Sequence, residues 1–299
     1  MQKDRACAFA PSPTLPRKRG RERTEFVVRL ELLMLDVQAR RLRLWQDRIE
    51  TEVEIAGAGP PLVYLHGPWG LVPDRAFVAR LAGANTVYAP RHPGTTPGDP
   101  DAVHALGGWH DLVVYHGELV DRLELDAPAL VGHSFGGLVA AEFAAAVPKS
   151  VGRLVLIDPV GVWRDDLPVK NWMLLPETER RRSLFADSES DAAQRFFGVP
   201  DDPAQRIDAL AQSIWAQACT GKFVWPVPDR GLKHRMHRIA APTLIVWGKV
   251  DRIIDVAYAQ EFAKRIASAR VQLIDGAGHL PHLEQPDAVA KLVQDFLRN

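Results

Sequence analysis

A serine flanked by two glycines, in the stretch Gly132-His133-Ser134-Phe135-Gly136, constrains the fold more than any other feature of the chain. An apolar run, residues 129–131, precedes it, and an alanine-rich run, residues 138–146, follows it. This pattern predicts a buried strand, a sharp turn with the serine at positive φ, and a helix. The helix would direct its first N–H groups towards negative charge that forms beside the serine. Taken alone, the pattern also fits a glycine-rich turn with a solvated serine.

The length and charge of the chain narrow the class of protein. A chain of 299 residues suits one large α/β domain or two small ones. Lysine plus arginine and aspartate plus glutamate both number 37, and zero net charge argues against a nucleic-acid partner. Two cysteines, Cys7 and Cys219, do not make a disulfide framework, so we expect a reducing, cytoplasmic location. Because no apolar run approaches about 18 residues, we expect no membrane partner.

Residues 1–24 differ in composition from the rest of the chain. Prolines alternate with small residues and are followed by a basic run at residues 17–23. There is no apolar stretch of the kind that a secretory signal carries. We predict a disordered extension without an assigned function, with a basic nucleic-acid tail as the alternative.

Strands and helices alternate along most of the sequence. Two half-polar segments predict antiparallel edge strands at residues 42–44 and 49–55. Continuous apolar runs predict buried strands at 62–65, 129–131 and 154–157, and further strands are predicted at 85–89, 243–247 and 271–274. Helical segments are predicted between and after them, at 73–82, 109–125, 138–146, 255–267 and 286–297. The fold class is therefore α/β, with a mostly parallel sheet of the eight-stranded type and helices on both faces.

Reactive side chains follow several of the predicted strands. In an open parallel sheet, ligands bind beyond the carboxyl ends of the strands. These ends carry His66-Gly67, Ser134, Asp158, Asp251 and His279. A serine hydroxyl needs a base within reach, and that base needs an acid that fixes its tautomer. We predict His279 as the base and Asp251 as the acid, with Asp158 as the alternative acid.

Four motifs in this order resemble the α/β-hydrolase fold family over about residues 40–299. They are His66-Gly67, the glycine-flanked serine, residues 247–251 (Trp-Gly-Lys-Val-Asp) and residues 278–286, which begin Gly-His-Leu-Pro-His. The last motif is most similar to the branch of carbon–carbon bond hydrolases and related esterases. The resemblance implies a Ser-His-Asp triad, no metal or other cofactor, and a helical cap inserted after the sixth strand. We therefore expect the hydrolase core at 25–159 and 239–299 and the cap at 160–238.

One position departs from the pattern of that family. The family implies a backbone N–H donor in the residue after His66-Gly67, which would help to bind the oxyanion. That residue is Pro68, which has no N–H. The N–H of Phe135 remains available, and we predict the N–H of Trp69 as the second donor.

The expected cap segment is rich in aromatic residues, and its position above the site predicts substrate contacts. We predict substrate-binding roles for His133, Trp163, Trp172 and Trp215, with His133 packed at the cap interface. His282 and Glu284 are expected to serve structural roles, Glu284 by accepting N–H groups at a helix start, and support of the catalytic side chains is the alternative. The basic run at 180–182 predicts a solvated helix face, with recognition of a carboxylate as the alternative.

The sequence thus predicts a serine hydrolase that acts on a small or medium apolar ester or on a ketone-type carbon–carbon substrate. A cofactor-free lyase or perhydrolase on the same fold is one alternative. A small-molecule receptor with residual hydrolase activity is another. The expected partner is a small molecule, and the chain is expected to be a monomer or a homodimer.

Overall fold

The computed structural model describes residues 37–225 and 229–299. The predicted extension at 1–24 and the start of the predicted core at 25–36 lie outside the described residues. Within them, one sheet contains eight strands: β1 Gln38–Leu44, β2 Ile49–Ala56, β3 Pro61–Leu65, β4 Thr86–Pro90, β5 Ala129–His133, β6 Arg153–Ile157, β7 Thr243–Gly248 and β8 Ala269–Ile274.

The sheet is mostly parallel, as predicted. Its strand order is β1-β2-β4-β3-β5-β6-β7-β8. Strand β2 pairs antiparallel with both β1 and β4, and each neighbouring pair from β4 to β8 is parallel. Parallel strands align their carboxyl ends, so β5, β7 and β8 deliver the residues that follow them to one edge of the sheet.

Helices cover both faces of the sheet. In the described residues the α-helices are α1 Arg75–Ala82, α2 Trp109–Arg122, α3 Phe135–Ala146, α4 Glu177–Leu184, α5 Asp191–Phe197, α6 Pro203–Val224, α7 Tyr258–Ala263, α8 Pro281–Glu284 and α9 Pro286–Arg298. Alternate residues of each buried strand face two separate apolar clusters. Helices α1 and α9 pack in one cluster, and α2, α3 and α7 pack in the other. Such strands are apolar throughout because both of their faces are covered.

Helices α4, α5 and α6 lie between β6 and β7, inside the segment predicted as the cap. Helix α6 is buried only near its carboxyl end, where Ala216, Cys219 and Phe223 pack. Its first part carries apolar side chains in water, including Ile207 at 67% and Ile214 at 65% exposure. None of the helices in the described parts of the chain has the length and apolar character needed to cross a membrane.

Candidate active site

Ser134 lies at the turn between β5 and α3, with φ 51° and ψ −110°. Positive φ is rare for residues other than glycine, so the surrounding structure must hold this turn. The Ser134 N–H donates to the Ile157 carbonyl at 2.9 Å, which ties the turn to β6. A Cβ on Gly132 would collide with the Gly136 carbonyl, and one on Gly136 would collide with the Leu65 carbonyl. The close approach of these backbones explains both glycines of the motif.

His279 lies between Ser134 and Asp251 in a continuous hydrogen-bonded row. Its Nε2 is 3.0 Å from Ser134 Oγ, and its Nδ1 is 2.8 Å from Asp251 Oδ2. The other carboxylate oxygen, Asp251 Oδ1, accepts the N–H groups of Ile253 at 2.8 Å and Ile254 at 3.0 Å. Asp251 can therefore hold the proton of His279 on Nδ1, which leaves Nε2 free to accept the hydroxyl proton of the serine.

Asp158, the alternative acid, follows β6 and is fully buried. Its Oδ1 accepts the Gly248 N–H at 3.0 Å, and its Oδ2 has no donor among the described residues. Burial and then the nearby charge of Asp251 raise the pKa of Asp158 well above its ordinary value. The aspartate that is hydrogen-bonded to His279 is Asp251.

The loop that carries His279 is fastened by Glu284. One oxygen of its carboxylate accepts the Gly278 N–H at 2.6 Å, and the other accepts the Ala186 N–H at 2.8 Å. Burial raises the pKa of Glu284 to about 7, although these two N–H groups oppose the shift. Glu284 therefore links the turn before His279 to the chain that follows α4.

A second buried polar network lies behind the histidine. His133 Nε2 donates to the His279 carbonyl at 2.9 Å, and burial holds the pKa of His133 well below its ordinary range. The ring of His133 lies 4.3 Å from that of His282, whose Nε2 is 3.1 Å from Asp74 Oδ1. Asp74 also accepts the hydroxyl of Tyr64 at 2.8 Å. Sequence reasoning assigned no role to Asp74, because no motif marks it.

Two groups of three residues bring possible metal-ligand atoms within 4.8 Å of one another. They are Asp74, His133 and His282, and Asp158, Asp251 and His279. Both groups contain an aspartate–histidine hydrogen bond that already uses one atom of each partner. The absence of a metal remains a prediction from the sequence.

Trp69 packs between this site and the inserted helices. It is buried, and its ring centre lies 6.2 Å from that of His279 and 6.3 Å from that of Trp172. The indole N–H groups of Trp69 and Trp172 have no partner in the part of the chain that the structure describes. Phe135 is the first residue of α3, where a backbone N–H has no acceptor within the helix.

The other tryptophans predicted to bind substrate use their indole N–H groups elsewhere. Trp163 donates to Asp165 at 3.0 Å, and Trp215 donates to the Gly94 carbonyl at 2.7 Å. Trp172 is connected to the surroundings of His279 by ring contacts through Trp69. The indole N–H groups of Trp163 and Trp215 are bonded to other residues. In the basic run, Arg181 lies over the ring of Phe197 at 4.5 Å.

A sheet that aligns a serine, an aspartate and a histidine at its carboxyl edge is the arrangement of an α/β-fold hydrolase. Residues 62–292 match the alpha/beta hydrolase family, and this chain belongs to that family of enzymes. The resemblance and the fold class predicted from the sequence are thereby confirmed.

Two of the relatives differ in the reaction that their names give. Monoacylglycerol lipase ABHD6 of Homo sapiens is 30% identical over 265 residues, which cover 81% of this chain and 76% of that protein. The 2-hydroxy-6-oxo-2,4-heptadienoate hydrolase of Pseudomonas putida is 28% identical over 277 residues, which cover 83% of this chain and 93% of that protein.

Solved structures share the fold at low identity. A bacterial membrane phospholipase A superposes with a TM-score of 0.72 at 21% identity, over 93% of this chain and 90% of that one. The naproxen esterase of Bacillus subtilis superposes with a TM-score of 0.69 at 18% identity, over 95% of this chain and 100% of that one.

Proposed function

We propose that this protein is a serine hydrolase in which Ser134, His279 and Asp251 form the catalytic triad. The observation that supports it is the unbroken row of hydrogen bonds from Ser134 Oγ to Asp251 Oδ2 through the ring of His279. Ser134 Oγ attacks the carbonyl carbon of the substrate while His279 Nε2 takes the hydroxyl proton. The same nitrogen then returns the proton to the leaving group, and Asp251 keeps the ring oriented throughout.

The oxyanion of the tetrahedral intermediate is bound, in this proposal, by the N–H groups of Phe135 and Trp69. The Phe135 N–H is free of helical pairing and follows the nucleophile directly. A second donor matters, because the loss of one oxyanion donor costs about 10²–10³ in rate. Pro68 cannot supply it, and Trp69 is the next backbone N–H along the same loop.

The substrate in this proposal is a small or medium apolar ester, or a ketone-type substrate cleaved at a carbon–carbon bond. Phe135, Trp69 and Trp172 are all buried and supply apolar surroundings for an acyl group. The names of the relatives include both reactions, with a lipase and a dienoate hydrolase. Residues 160–238 act as the cap, and because Ser134 and His279 are fully buried, substrate entry requires this cover to move.

Cytoplasmic location and the absence of a membrane partner belong to the same proposal. The absence of a membrane partner needs a test, because the side chains of Ile207 and Ile214 are exposed and such residues can enter a lipid surface. We expect the full chain to stay unbound when it is floated with neutral phosphatidylcholine vesicles, and flotation with them would contradict the proposal.

The function is tested with p-nitrophenyl esters of increasing acyl length and with a fluorophosphonate label mapped by mass spectrometry. We expect short-chain ester hydrolysis and labelling at Ser134, and loss of both in Ser134→Ala. Ser213→Ala, on α6, is the matched control and should behave as the unmodified protein. Ester hydrolysis that survives in Ser134→Ala would overturn the assignment. Labelling of Ser134 without ester turnover would favour a carbon–carbon substrate or the lyase or perhydrolase alternative.

A further inference from the structure

Two buried carboxyl groups meet beside His279. Asp158 follows β6 and Asp251 follows β7, and these neighbouring parallel strands end at the same edge of the sheet. A carboxyl oxygen of each aspartate and a ring nitrogen of His279 lie within 4.8 Å of one another. Both side chains are buried from water. Two carboxyl groups this close in a dry site do not both ionise, so one of them keeps a proton near neutral pH.

The hydrogen-bond donors around the pair decide which carboxyl group keeps the proton. Asp251 receives two backbone N–H groups and faces Nδ1 of His279, and all three contacts favour its charged form. Asp158 receives only the Gly248 N–H, and its second oxygen has no donor among the described residues. A buried oxygen without a donor disfavours a negative charge on that group.

The charges that face Asp158 also favour its protonated form. The carboxyl groups of Asp251 and Glu284 both raise the pKa of Asp158, in addition to its burial. His279 is a basic side chain within 4.8 Å of Asp158, and its Nδ1 is already hydrogen-bonded to Asp251. If Asp158 keeps its proton, its O–H becomes a donor, and the neighbouring carboxylate of Asp251 is an acceptor.

The backbone of Asp158 holds the side chain at this place. Its φ is 41°, a value that residues other than glycine rarely adopt. The Asp158 N–H donates to the Val246 carbonyl at 3.0 Å, which fixes the turn against β7. Strain of this kind persists where surrounding contacts over-determine a conformation, and it often marks functional sites.

We propose that Asp158 is a protonated positioning residue that donates its O–H to Asp251, and that it replaces Asp251 as the acid when Asp251 is lost. The inference rests on the proposed function of His279. The pair carries one negative charge, and the hydrogen bond from Asp158 holds the charged carboxylate opposite His279. In Asp251→Asn the competing charge disappears, and Asp158 can ionise within reach of the same imidazole.

The first test is a double-mutant cycle on kcat for ester hydrolysis. We expect Asp158→Asn alone to cost less than about five-fold, because the amide is neutral and can still donate to Asp251. Asp251→Asn should keep measurable activity, and Asp158→Asn added to it should remove at least a further fifty-fold. Equal losses from Asp158→Asn in both backgrounds would indicate a purely structural residue and overturn the proposal.

The second test is the acidic limb of kcat/KM, which reports the protonation of the free enzyme's base. Replacement of a neutral acid by a neutral amide leaves the charge near His279 unchanged, so the limb of Asp158→Asn should stay within about 0.3 pH units. If Asp158 were ionised, the same variant would remove a negative charge and move the limb to lower pH by about one unit or more. That displacement would overturn the proposal.

The third test does not depend on activity. Infrared difference spectroscopy at pH 7 between the unmodified protein and Asp158→Asn should show a carbonyl band of a protonated carboxylic acid that only the unmodified protein has. Its absence would overturn the proposal even if the fluorophosphonate labels Ser134. The band together with unlabelled Ser134 would instead overturn the proposed function and leave the protonation of Asp158 established.

Discussion

The backbone N–H of His279 donates to the carbonyl of Leu184 at 2.8 Å. The loop that follows β8 is thereby joined to the last residue of α4, in the segment inserted between β6 and β7. The position of the proposed base consequently depends on that insertion as well as on the sheet.

Glu284 should control how accurately this loop is held. A glutamine at this position offers one carbonyl oxygen for the two N–H groups of Gly278 and Ala186. We expect Glu284→Gln to lower kcat for ester hydrolysis by about ten-fold, because a small displacement of a catalytic group is costly. The affinity for substrate should change much less.

Glu177→Gln is the control for this prediction. Its side chain lies on α4 and is 65% exposed, so the same chemical change should leave kcat within two-fold. Equal kcat in Glu284→Gln and Glu177→Gln would show that the two hydrogen bonds do not position His279.

Because the backbone around the serine turn is closely packed, a substitution of Gly136 should strongly destabilise the fold. A Cβ there would meet the carbonyl oxygens of Leu65 and His66, which are backbone atoms with little room to move. We expect Gly136→Ala to lower the free energy of unfolding by at least about 3 kcal/mol, as measured with urea.

Gly117→Ala is the matched comparison, since Gly117 lies within α2 and a Cβ there would meet Phe143 at an ordinary 3.6 Å. Alanine is the better helix former, so the free energy of unfolding of this variant should rise by about 0.5–1 kcal/mol. A cost at Gly136 no larger than the change at Gly117 would contradict the packing argument.

The sequence was sufficient to predict the sheet and the three residues of the row. Continuous apolar runs mark the strands before Ser134 and Asp251, which are buried on both faces, and His279 follows the half-exposed edge strand β8. The order Ser-Asp-His fits both Asp158 and Asp251, so the sequence favoured Asp251 but left Asp158 open, and the hydrogen bond from His279 to Asp251 distinguishes them. These features are local in sequence, which is why pattern reasoning finds them.

Contacts between residues far apart in the chain could not be predicted from sequence patterns. His282 meets Asp74 although 208 positions separate them in the chain. The indole of Trp215 on α6 reaches the Gly94 carbonyl, 121 positions away in the chain, and helical periodicity does not give that direction. The pairing of Asp158 with Asp251 likewise depends on strand neighbours rather than on a motif.

Pro68 gives a prediction about the oxyanion donors. Pro68→Ala restores a backbone N–H at the position that the family pattern favours. If Trp69 already supplies the second donor, kcat should stay within about three-fold of the unmodified protein. Pro97→Ala, in an exposed loop, controls for the loss of a proline. A rise of ten-fold or more in Pro68→Ala alone would mean that Phe135 had been the single donor.

The ion pair between Arg235 and Glu142 stabilises α3, the helix that begins directly after Ser134. Glu142 lies on α3 with 4% of its side chain exposed, and Arg235 Nε donates to it at 2.8 Å. Arg235→Met leaves a buried carboxylate without its partner and should cost about 3 kcal/mol in urea unfolding. The double variant with Glu142→Met should recover most of that loss, and no recovery would contradict this account.

Histidines that are buried in the neutral form should make the protein less stable in acid. His116 on α2 allows this contribution to be measured for a single residue. Burial lowers the pKa of His116 to about 4, against an ordinary value of 6.5 in the unfolded chain, although its hydrogen bond to Leu112 opposes the shift. At a pH between these two pKa values, His116 is protonated in the unfolded chain and neutral in the folded protein. The free energy of unfolding therefore falls as the pH drops from about 6.5 to 4, with a slope of about 1.4 kcal/mol per pH unit for this group.

His116→Gln should remove that contribution. The loss of stability between pH 6 and pH 5 should shrink by about 1 kcal/mol in urea titrations at the two pH values. His110→Gln, at an exposed position of the same helix, is the control for the histidine-to-glutamine change itself. Parallel pH profiles for His116→Gln and the unmodified protein would show that His116 accepts its proton equally well in the folded state.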